Sequence, residues 1–394
     1  MHKLTWMSWR APLWGLPLLV VIILAARPAE SRVWRVEKDG SGDYAVIQDA
    51  VDASASGDTI MIGPGRYSEY TDHMYAGNLW HTYVHMVSDS LTFIGAGAGA
   101  TVIGSESPGR WESWEYAVGV FFWPATVSGV LALEYLTVED VVVGAYAESG
   151  AVEISNCTFR RAKYGVWAHT PGSVHACGFE GIYGIGIITS SPSRDVSVTQ
   201  CEIRDTRRAF SFSGVANVAI RDNNVIGCQS GGNLDQCSGA VVRNSFSVTL
   251  GACLVVYGPG TYAISGNVFD GGTANIYFGL GASNAICERN VFRGSRDAAV
   301  DIVSCTPRVV NNDIFKDRGR AVVLGGYSQL PDRFVDMTGN YWGTANPDSI
   351  SAWIVDGHDV VDPQMHGFVN FQPFSSVPVP TERTSLGGVK ALFR

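Results

Sequence analysis

Two stretches in the first third of the sequence, residues 66–86 and 104–123, are rich in aromatic and acidic side chains. Aromatic rings stack on sugar rings, and two carboxylic acids can serve as the general acid and base of glycoside hydrolysis. These stretches predict a carbohydrate site, with these substrate-binding candidates: Tyr67, Trp80, Trp111, Glu112, Trp114, Glu115 and Tyr116. The alternative is that the rings pack an insert onto the body of the protein.

A second set of residues combines carboxylates with arginine. An arginine neutralises the acid group of a uronate, while a carboxylate moves a proton or binds calcium. The candidates for catalysis are Glu202, Arg221, Asp222 and Arg243. Asp297 and Asp301 form a similar second option. The alternative for all of them is a row of surface ion pairs. No cofactor is required by this chemistry, and calcium is compatible with it.

Basic residues recur at a similar distance after several repeated segments. Turns stacked on one side would collect them into two patches suited to an acidic polysaccharide, although solvated turns explain them too. The residues are Arg160, Arg161, Lys163, Arg204, Arg207, Arg208, Arg293, Arg296, Lys316, Arg318 and Arg320. The net charge of -9 gives the chain no overall attraction for nucleic acid.

Three histidines, His73, His81 and His85, lie in the first aromatic stretch. Two of them have the spacing of metal ligands, but only if the stretch is helical. Unligated histidines are the simpler interpretation, so we assign no metal-binding residue.

The elements that must position these residues repeat about every 22 residues from Leu131 onward. Apolar and polar residues alternate within each unit, and this period of two selects strands. Such units predict a parallel β-solenoid whose coils lie about 4.8 Å apart. Equivalent side chains would then stack as an internal, structural ladder: Cys157, Cys177, Cys201, Asn223, Asn244, Asn267, Asn290, Asn312 and Asn340.

The composition agrees with one continuous solenoid. The 394 residues include 45 glycines for tight turns, only 16% are charged, and 46% are hydrophobic, enough for a large core. Among the eight cysteines, Cys228 and Cys237 are the best disulfide candidates in an oxidising compartment.

The N-terminal segment indicates export. Lys3 and Arg10 precede an apolar run that is short for a mature membrane helix, which is typical of a signal peptide. An uncleaved anchor is the alternative, and no other membrane segment is expected. We predict a signal peptide or anchor over 1–29, a solenoid over 30–374, a linker and basic tail over 375–394, and a periplasmic, secreted or cell-surface location.

Both ends of the solenoid resemble a known superfamily. The string DGSGDY…IQDAVD…GDTIMIGPGRY is similar to the N-terminal cap and first coil of pectate-lyase-like proteins, and NYWGTANPDSISAWIVDGHD resembles the closing segment of NosD-like β-helix proteins. The resemblance implies an all-β, right-handed parallel β-helix with an amphipathic helix cap over its N-terminal end. The pectin-esterase, polygalacturonase and pectate-lyase catalytic strings are not found.

These features give one leading functional hypothesis and two alternatives. The leading one is an exported protein that binds an extracellular or envelope polysaccharide. If the protein is an enzyme, it would cleave that polysaccharide as a lyase or glycoside hydrolase. A non-catalytic surface, adhesion or scaffold protein is the first alternative. A NosD-like metal-insertion accessory is the second.

Overall fold

A computed structural model describes residues 31–75, 77–106, 116–124, 126–190, 195–329, 331–359 and 365–380. The predicted segment 1–29 and residues 381–394 of the predicted tail over 375–394 lie outside these ranges. Each sequence repeat forms one coil, because alternate residues of most strands point into the interior. In the segment DVSVT, for example, only Val196 and Val198 are buried. The coils stack in parallel, so the predicted parallel β-solenoid is confirmed.

Three faces run along the solenoid. Face A is a twelve-stranded sheet. Its strands are β1 Val33–Val36, β2 Asp58–Ile62, β6 Ser90–Gly95, β9 Val130–Glu134, β11 Ala151–Ser155, β13 Gly172–His175, β16 Asp195–Thr199, β19 Asn217–Arg221, β22 Gly239–Val242, β25 Tyr262–Ser265, β28 Ala285–Glu288 and β31 Arg308–Val310.

Face B follows face A in each coil and contains mostly short strands. These are β3 Gly65–Tyr67, β7 Thr101–Gly104, the first parts of β10 Thr137–Ala147 and β12 Thr158–Ala168, then β14 Gly178–Glu180, β17 Glu202–Arg204, β20 Asn224–Cys228, β23 Ser245–Val248, β26 Val268–Gly271, β29 Val291–Arg293 and β32 Asp313–Ile314.

Face C completes the coil. It contains β5 Asn78–Met86, β8 Ala117–Phe122, the last parts of β10 and β12, then β15 Ile185–Ser190, β18 Arg208–Ser213, β21 Ser230–Asp235, β24 Leu254–Tyr257, β27 Ala274–Phe278, β30 Ala298–Val303, β33 Arg320–Gly325 and β35 Ile354–Val355. A further strand, β4 Thr71–Tyr75, forms an antiparallel hairpin with β5. Beyond the main sheets, β34 Arg333–Asp336 pairs with β36 Gly367–Asn370.

The corner between faces A and B shows why the ladder positions recur. The residue before each ladder side chain has a left-handed backbone, for example Asp222 at φ 57° and Arg243 at φ 55°. This bend turns the backbone N–H of the next residue inward, and the ladder supplies its acceptor. The Asn223 N–H donates to Asn244 Oδ1 at 3.0 Å, and the Asn244 N–H donates to Asn267 Oδ1 at 2.9 Å.

Side-chain amides continue the same ladder to the C-terminal coils. From Asn223 to Asn312, each Nδ2 also donates to Oδ1 of the next asparagine at 2.9–3.1 Å. Six asparagines, each at most 2% exposed, thereby satisfy one another in the interior. The ladder ends at Asn340, whose Nδ2 donates to Val309 O at 2.7 Å.

Two short α-helices accompany the strands in the described ranges. Helix α1, Ile47–Ala53, contributes Ile47, Ala50 and Val51 to the main core. Helix α2, Pro347–Trp353, buries Ile350 in that core, and Asn346 caps its N-terminus. No helix within the described ranges is long and apolar enough to span a membrane.

The predicted disulfide between Cys228 and Cys237 is wrong. The polar segment between them is a strand of face C, β21, and this extended stretch holds the two cysteines at different corners of the coil. The Cys228 thiol contacts Thr206 Oγ1 at 3.1 Å, whereas the Cys237 thiol donates to Asp235 O at 3.3 Å. All eight cysteines are free and buried, including the neighbouring ladder thiols.

Candidate functional site

The acid–arginine set is divided between two sides of a corner. Asp222 and Arg243 form a two-pronged ion pair, with Nε–Oδ1 and Nη2–Oδ2 distances of 2.8 Å. Glu202 lies on β17 of face B and pairs with Arg204 instead. Arg221 lies on β19 of face A. The structure therefore joins only Asp222 with Arg243, as neighbours along the ladder corner.

The substrate-binding candidates of the first aromatic stretch are largely covered. Tyr67 is 2% exposed, and its hydroxyl donates to Val36 O at 3.3 Å and Gly63 O at 3.2 Å. Trp80 is 7% exposed and stacks on Tyr116 with ring centroids 4.9 Å apart. Neither Tyr67 nor Trp80 offers an open ring face to a sugar. Trp111, Glu112, Trp114 and Glu115 lie outside the described residues.

The β4–β5 hairpin builds a second apolar cluster on the outside of face C. Its buried members include Trp80, Phe121 and Tyr146, with Tyr164 and Trp167 packed against them. The insert is thus attached to the solenoid wall by its own aromatic residues, as the structural alternative expected. The apolar cluster extends to Tyr164, which also lines the groove described below.

The histidines lie on the hairpin strands rather than on a helix. The His73 and His85 rings are 3.8 Å apart, and His81 Nδ1 is 2.6 Å from Asp72 Oδ1. Burial, and then the charge of His73, lowers the pKa of His85 to about 4. Over the described part of the chain, no three His, Cys, Asp or Glu side chains are grouped to hold a metal ion.

A groove with a cavity volume of about 800 Å³ lies along face C and its corner with face B. We call it the basic groove. Lys163, Arg207 and Arg208 supply three cations, and Tyr183 and Tyr257 are exposed tyrosines. Its other lining residues are Tyr164, Gly184, Ile185, Gln229, Ser230, Gly232, Asn233, Leu250, Gly251, Ala252 and Val255.

The strand register explains why these residues meet. On face C, Ile185 pairs with Arg208, and Arg208 pairs with Ser230 on the next coil. Further along the same strands, Asn233 pairs in register with Val255. Residues from successive repeats therefore lie side by side at the strand spacing of about 4.8 Å.

The charge of the basic groove is uncompensated. No described lining residue is acidic, and Lys163, Arg207 and Arg208 form no ion pair within the described chain. Seven other arginines of the described chain do have carboxylate partners: Arg66, Arg160, Arg161, Arg204, Arg243, Arg293 and Arg308. The basic groove can therefore attract anionic groups without first breaking an ion pair of its own.

A half-buried carboxylate lies further along face C. Asp301 pairs in register with Tyr277, and the Tyr277 ring lies 5.5 Å from that of Tyr257 at the edge of the basic groove. Burial, and then the charge of Asp297, raises the pKa of Asp301. Burial also raises the pKa of Tyr277 to about 12.

The sequence signal for the basic groove was the series of basic residues that recur at a similar distance after several of the repeated segments. That signal included Lys163, Arg207 and Arg208, but it could not separate them from Arg160 and Arg161. Tyr183 and Tyr257 carried no signal, because neither belongs to a recurrent position.

The comparisons with known proteins agree with this architecture. Residues 118–269 match the family model described as the right handed beta helix region. The chain folds as a right-handed parallel β-helix. No curated protein is significantly similar to it in sequence.

Solved structures share the β-helix. The A-module of mannuronan C-5 epimerase AlgE6 from Azotobacter vinelandii has a TM-score of 0.51 and 13% identity, covering 84% of this chain and 94% of that module. The periplasmic alginate epimerase AlgG has a TM-score of 0.42 and 12% identity, covering 72% of this chain and 77% of that protein. At such low identity, the first likeness establishes the fold alone.

Proposed function

We propose that this β-helix binds an acidic polysaccharide in the basic groove. The uncompensated charge of Lys163, Arg207 and Arg208 is the observation that carries the proposal. Arginine donates paired hydrogen bonds to carboxylates, so a chain of uronic acids suits these side chains. The name of the AlgE6 module, a mannuronan epimerase, describes an enzyme for a polyuronate and supports the same ligand class.

The tyrosines of the groove extend this argument from charge to sugar rings. Tyr183 is 45% exposed and Tyr257 is 38% exposed, and Tyr164 is partly exposed beside Lys163. A tyrosine offers an apolar face and a polar hydroxyl, a combination suited to a pyranose. The Lys163 Nζ lies 5.4 Å from the Tyr164 ring, so charge and ring are available together.

The test compares a polyuronate with the same polymer after chemical reduction of its carboxylates. Calorimetric titration of the wild-type protein should detect the acidic polymer and not the neutral one. Arg207→Gln/Arg208→Gln should weaken binding by about tenfold or more, since two charge-assisted contacts are lost. Equal affinity for both polymers, or an unaffected variant, would refute the proposal.

A matched control removes the same amount of charge at positions away from the basic groove. Arg289 is exposed at the ladder corner, and Arg333 is exposed at the start of β34. Arg289→Gln/Arg333→Gln should bind the polyuronate as tightly as the wild type. Titrations with calcium and with a chelator test whether calcium bridges ligand carboxylates to acids of the protein, which we propose as an optional contribution.

Cleavage is a second candidate function, and the raised pKa of Asp301 favours it. A carboxyl group with a raised pKa keeps its proton to higher pH than an ordinary aspartate, which suits it to act as a general acid. If face C is catalytic, Asp301→Asn should abolish the release of reducing or unsaturated ends and leave polymer binding intact. A wild-type protein that binds without releasing products would eliminate cleavage.

We further propose that the protein works outside the cytoplasm, as its N-terminal sequence indicates. Cell fractionation should recover it in the periplasm, the medium or the cell surface. Sequencing of the mature N-terminus would separate a cleaved signal peptide, with a start near residue 30, from a retained anchor.

We also infer that α1 covers the N-terminal end of the core. Its residues Ala50 and Val51 are buried, and the helix packs beside β1, β2 and β5. Val51→Asp should therefore lower the urea midpoint strongly, whereas Asp52→Asn on the exposed side should not. Equal midpoints would contradict a capping role.

A further inference from the structure

A second basic patch lies on the same edge of the β-helix as the basic groove. It has a cavity volume of about 680 Å³, and we call it the second groove. Its lining residues are Val248, Thr249, Asp270, Gly271, Gly272, Arg293, Gly294, Arg296, Phe315, Asp317 and Arg318. The proposed function leaves these residues without a role.

Two of its three arginines are available to a ligand. Arg293 Nε is 3.0 Å from Asp270 Oδ2, so this pair is internally neutral. The other carboxylate, Asp317, accepts a hydrogen bond from the Gly294 N–H. Arg296 and Arg318 form no ion pair within the described chain, and both are exposed.

The cations of the two grooves occupy neighbouring places in their coils. Arg207 immediately precedes β18, while Arg296 and Arg318 lie two residues before β30 and β33. All three therefore lie at the corner between faces B and C. Five strand spacings separate β18 from β33, a distance of about 24 Å along the axis.

Leu250 connects the two grooves. It lines the basic groove and is 52% exposed, and its carbonyl accepts a hydrogen bond of 2.7 Å from Arg296 Nη2. A chain leaving the basic groove along this corner therefore reaches Arg296 directly.

We propose that the second groove binds a further segment of the same acidic polysaccharide, so that full affinity requires a chain spanning both grooves. This inference rests on the proposed function of the basic groove. Two linked contacts on one ligand multiply in effect, because binding of the first segment raises the local concentration of the second. Affinity should thus increase with chain length until Arg318 is reached.

The experiment titrates a uronate trimer and a uronate decamer into four double variants, including Arg207→Gln/Arg208→Gln in the basic groove, and into the wild type. The wild type should bind the decamer more tightly. Arg296→Gln/Arg318→Gln should weaken decamer binding about tenfold and leave trimer binding unchanged. Arg296→Lys/Arg318→Lys should restore most of the decamer affinity because the charge is kept. Arg289→Gln/Arg333→Gln is the charge-matched control.

Failure of the inference differs from failure of the proposed function. Wild-type decamer binding that survives Arg296→Gln/Arg318→Gln, or equal wild-type affinity for trimer and decamer, would overturn the second groove alone. Trimer binding that survives Arg207→Gln/Arg208→Gln would overturn the basic groove itself.

Discussion

The asparagine ladder allows a stability prediction to be worked out contact by contact. Asn267 is 1% exposed and lies between Asn244 and Asn290. Its Nδ2 donates to Val241 O at 2.8 Å, Ser265 O at 3.2 Å and Asn290 Oδ1 at 2.9 Å. Its Oδ1 accepts from the N–H and the Nδ2 of Asn244, both at 2.9 Å. Asn267→Ala removes all five bonds.

The cost follows from which groups are left without a partner. The buried Asn244 N–H loses its side-chain acceptor, which costs about 1–3 kcal/mol. The lost bonds to Val241 O and Asn290 Oδ1 each add about 1 kcal/mol net. We therefore expect Asn267→Ala to lower the free energy of unfolding by about 3–5 kcal/mol.

Urea unfolding followed by circular dichroism measures this loss. Asn217→Ala is the control, because Asn217 is exposed and its amide donates only to Asp195 Oδ1, so the change should be within about 0.5 kcal/mol. Asn267→Cys should fall between the two, since a thiol fills most of the space and occupies the same place at Cys201. If Asn267→Ala is no more damaging than Asn217→Ala, the ladder argument is refuted.

Three further predictions concern groups away from the ladder. The eight buried thiols should resist Ellman's reagent in the folded protein and all react in denaturant; fewer than eight would reveal a disulfide. Because burial lowers the pKa of His85 to about 4, the unfolded chain takes up that proton first on acidification. Stability should therefore fall between about pH 6.5 and pH 4, and His85→Gln should flatten this slope in urea midpoints measured across the range. Glu139 is fully buried among Arg66, Arg160 and Arg161, so Glu139→Gln should cost about 3–5 kcal/mol in urea unfolding, against under 1 kcal/mol for Glu202→Gln.

The fold was readable from the sequence because a solenoid repeats its physical requirements. Every coil from Asn223 onward needs a left-handed residue and an amide acceptor at the same corner, so Asn244 and Asn267 recur at a fixed spacing. The alternation of apolar and polar residues then shows which side chains of each strand point into the core. The disulfide predicted between Cys228 and Cys237 was wrong because the neighbouring coils impose a strand on the polar stretch between them, although it contains glycine and asparagine.

The basic groove was only partly readable, because it depends on which cations are already neutralised. Arg160 and Arg161 belong to the same basic series as Lys163, yet they turn towards Glu139 and Asp140 on the preceding coil. That pairing across coils has no signature within a single repeat. Burial was equally hidden for Tyr67 and Trp80, whose ring faces are covered by parts of the chain distant in sequence.

The most direct measurement of the central claim is zero-length coupling of a polyuronate to the protein. A carbodiimide joins a ligand carboxylate to a lysine amine only when the two are in contact, and Lys163 lies in the basic groove. Peptide mass spectrometry should find the adduct at Lys163, lost with excess free uronate and with Arg207→Gln/Arg208→Gln. Lys38 lies far from Lys163 in the sequence and is already paired with Glu69. Adducts confined to Lys38 would contradict the account.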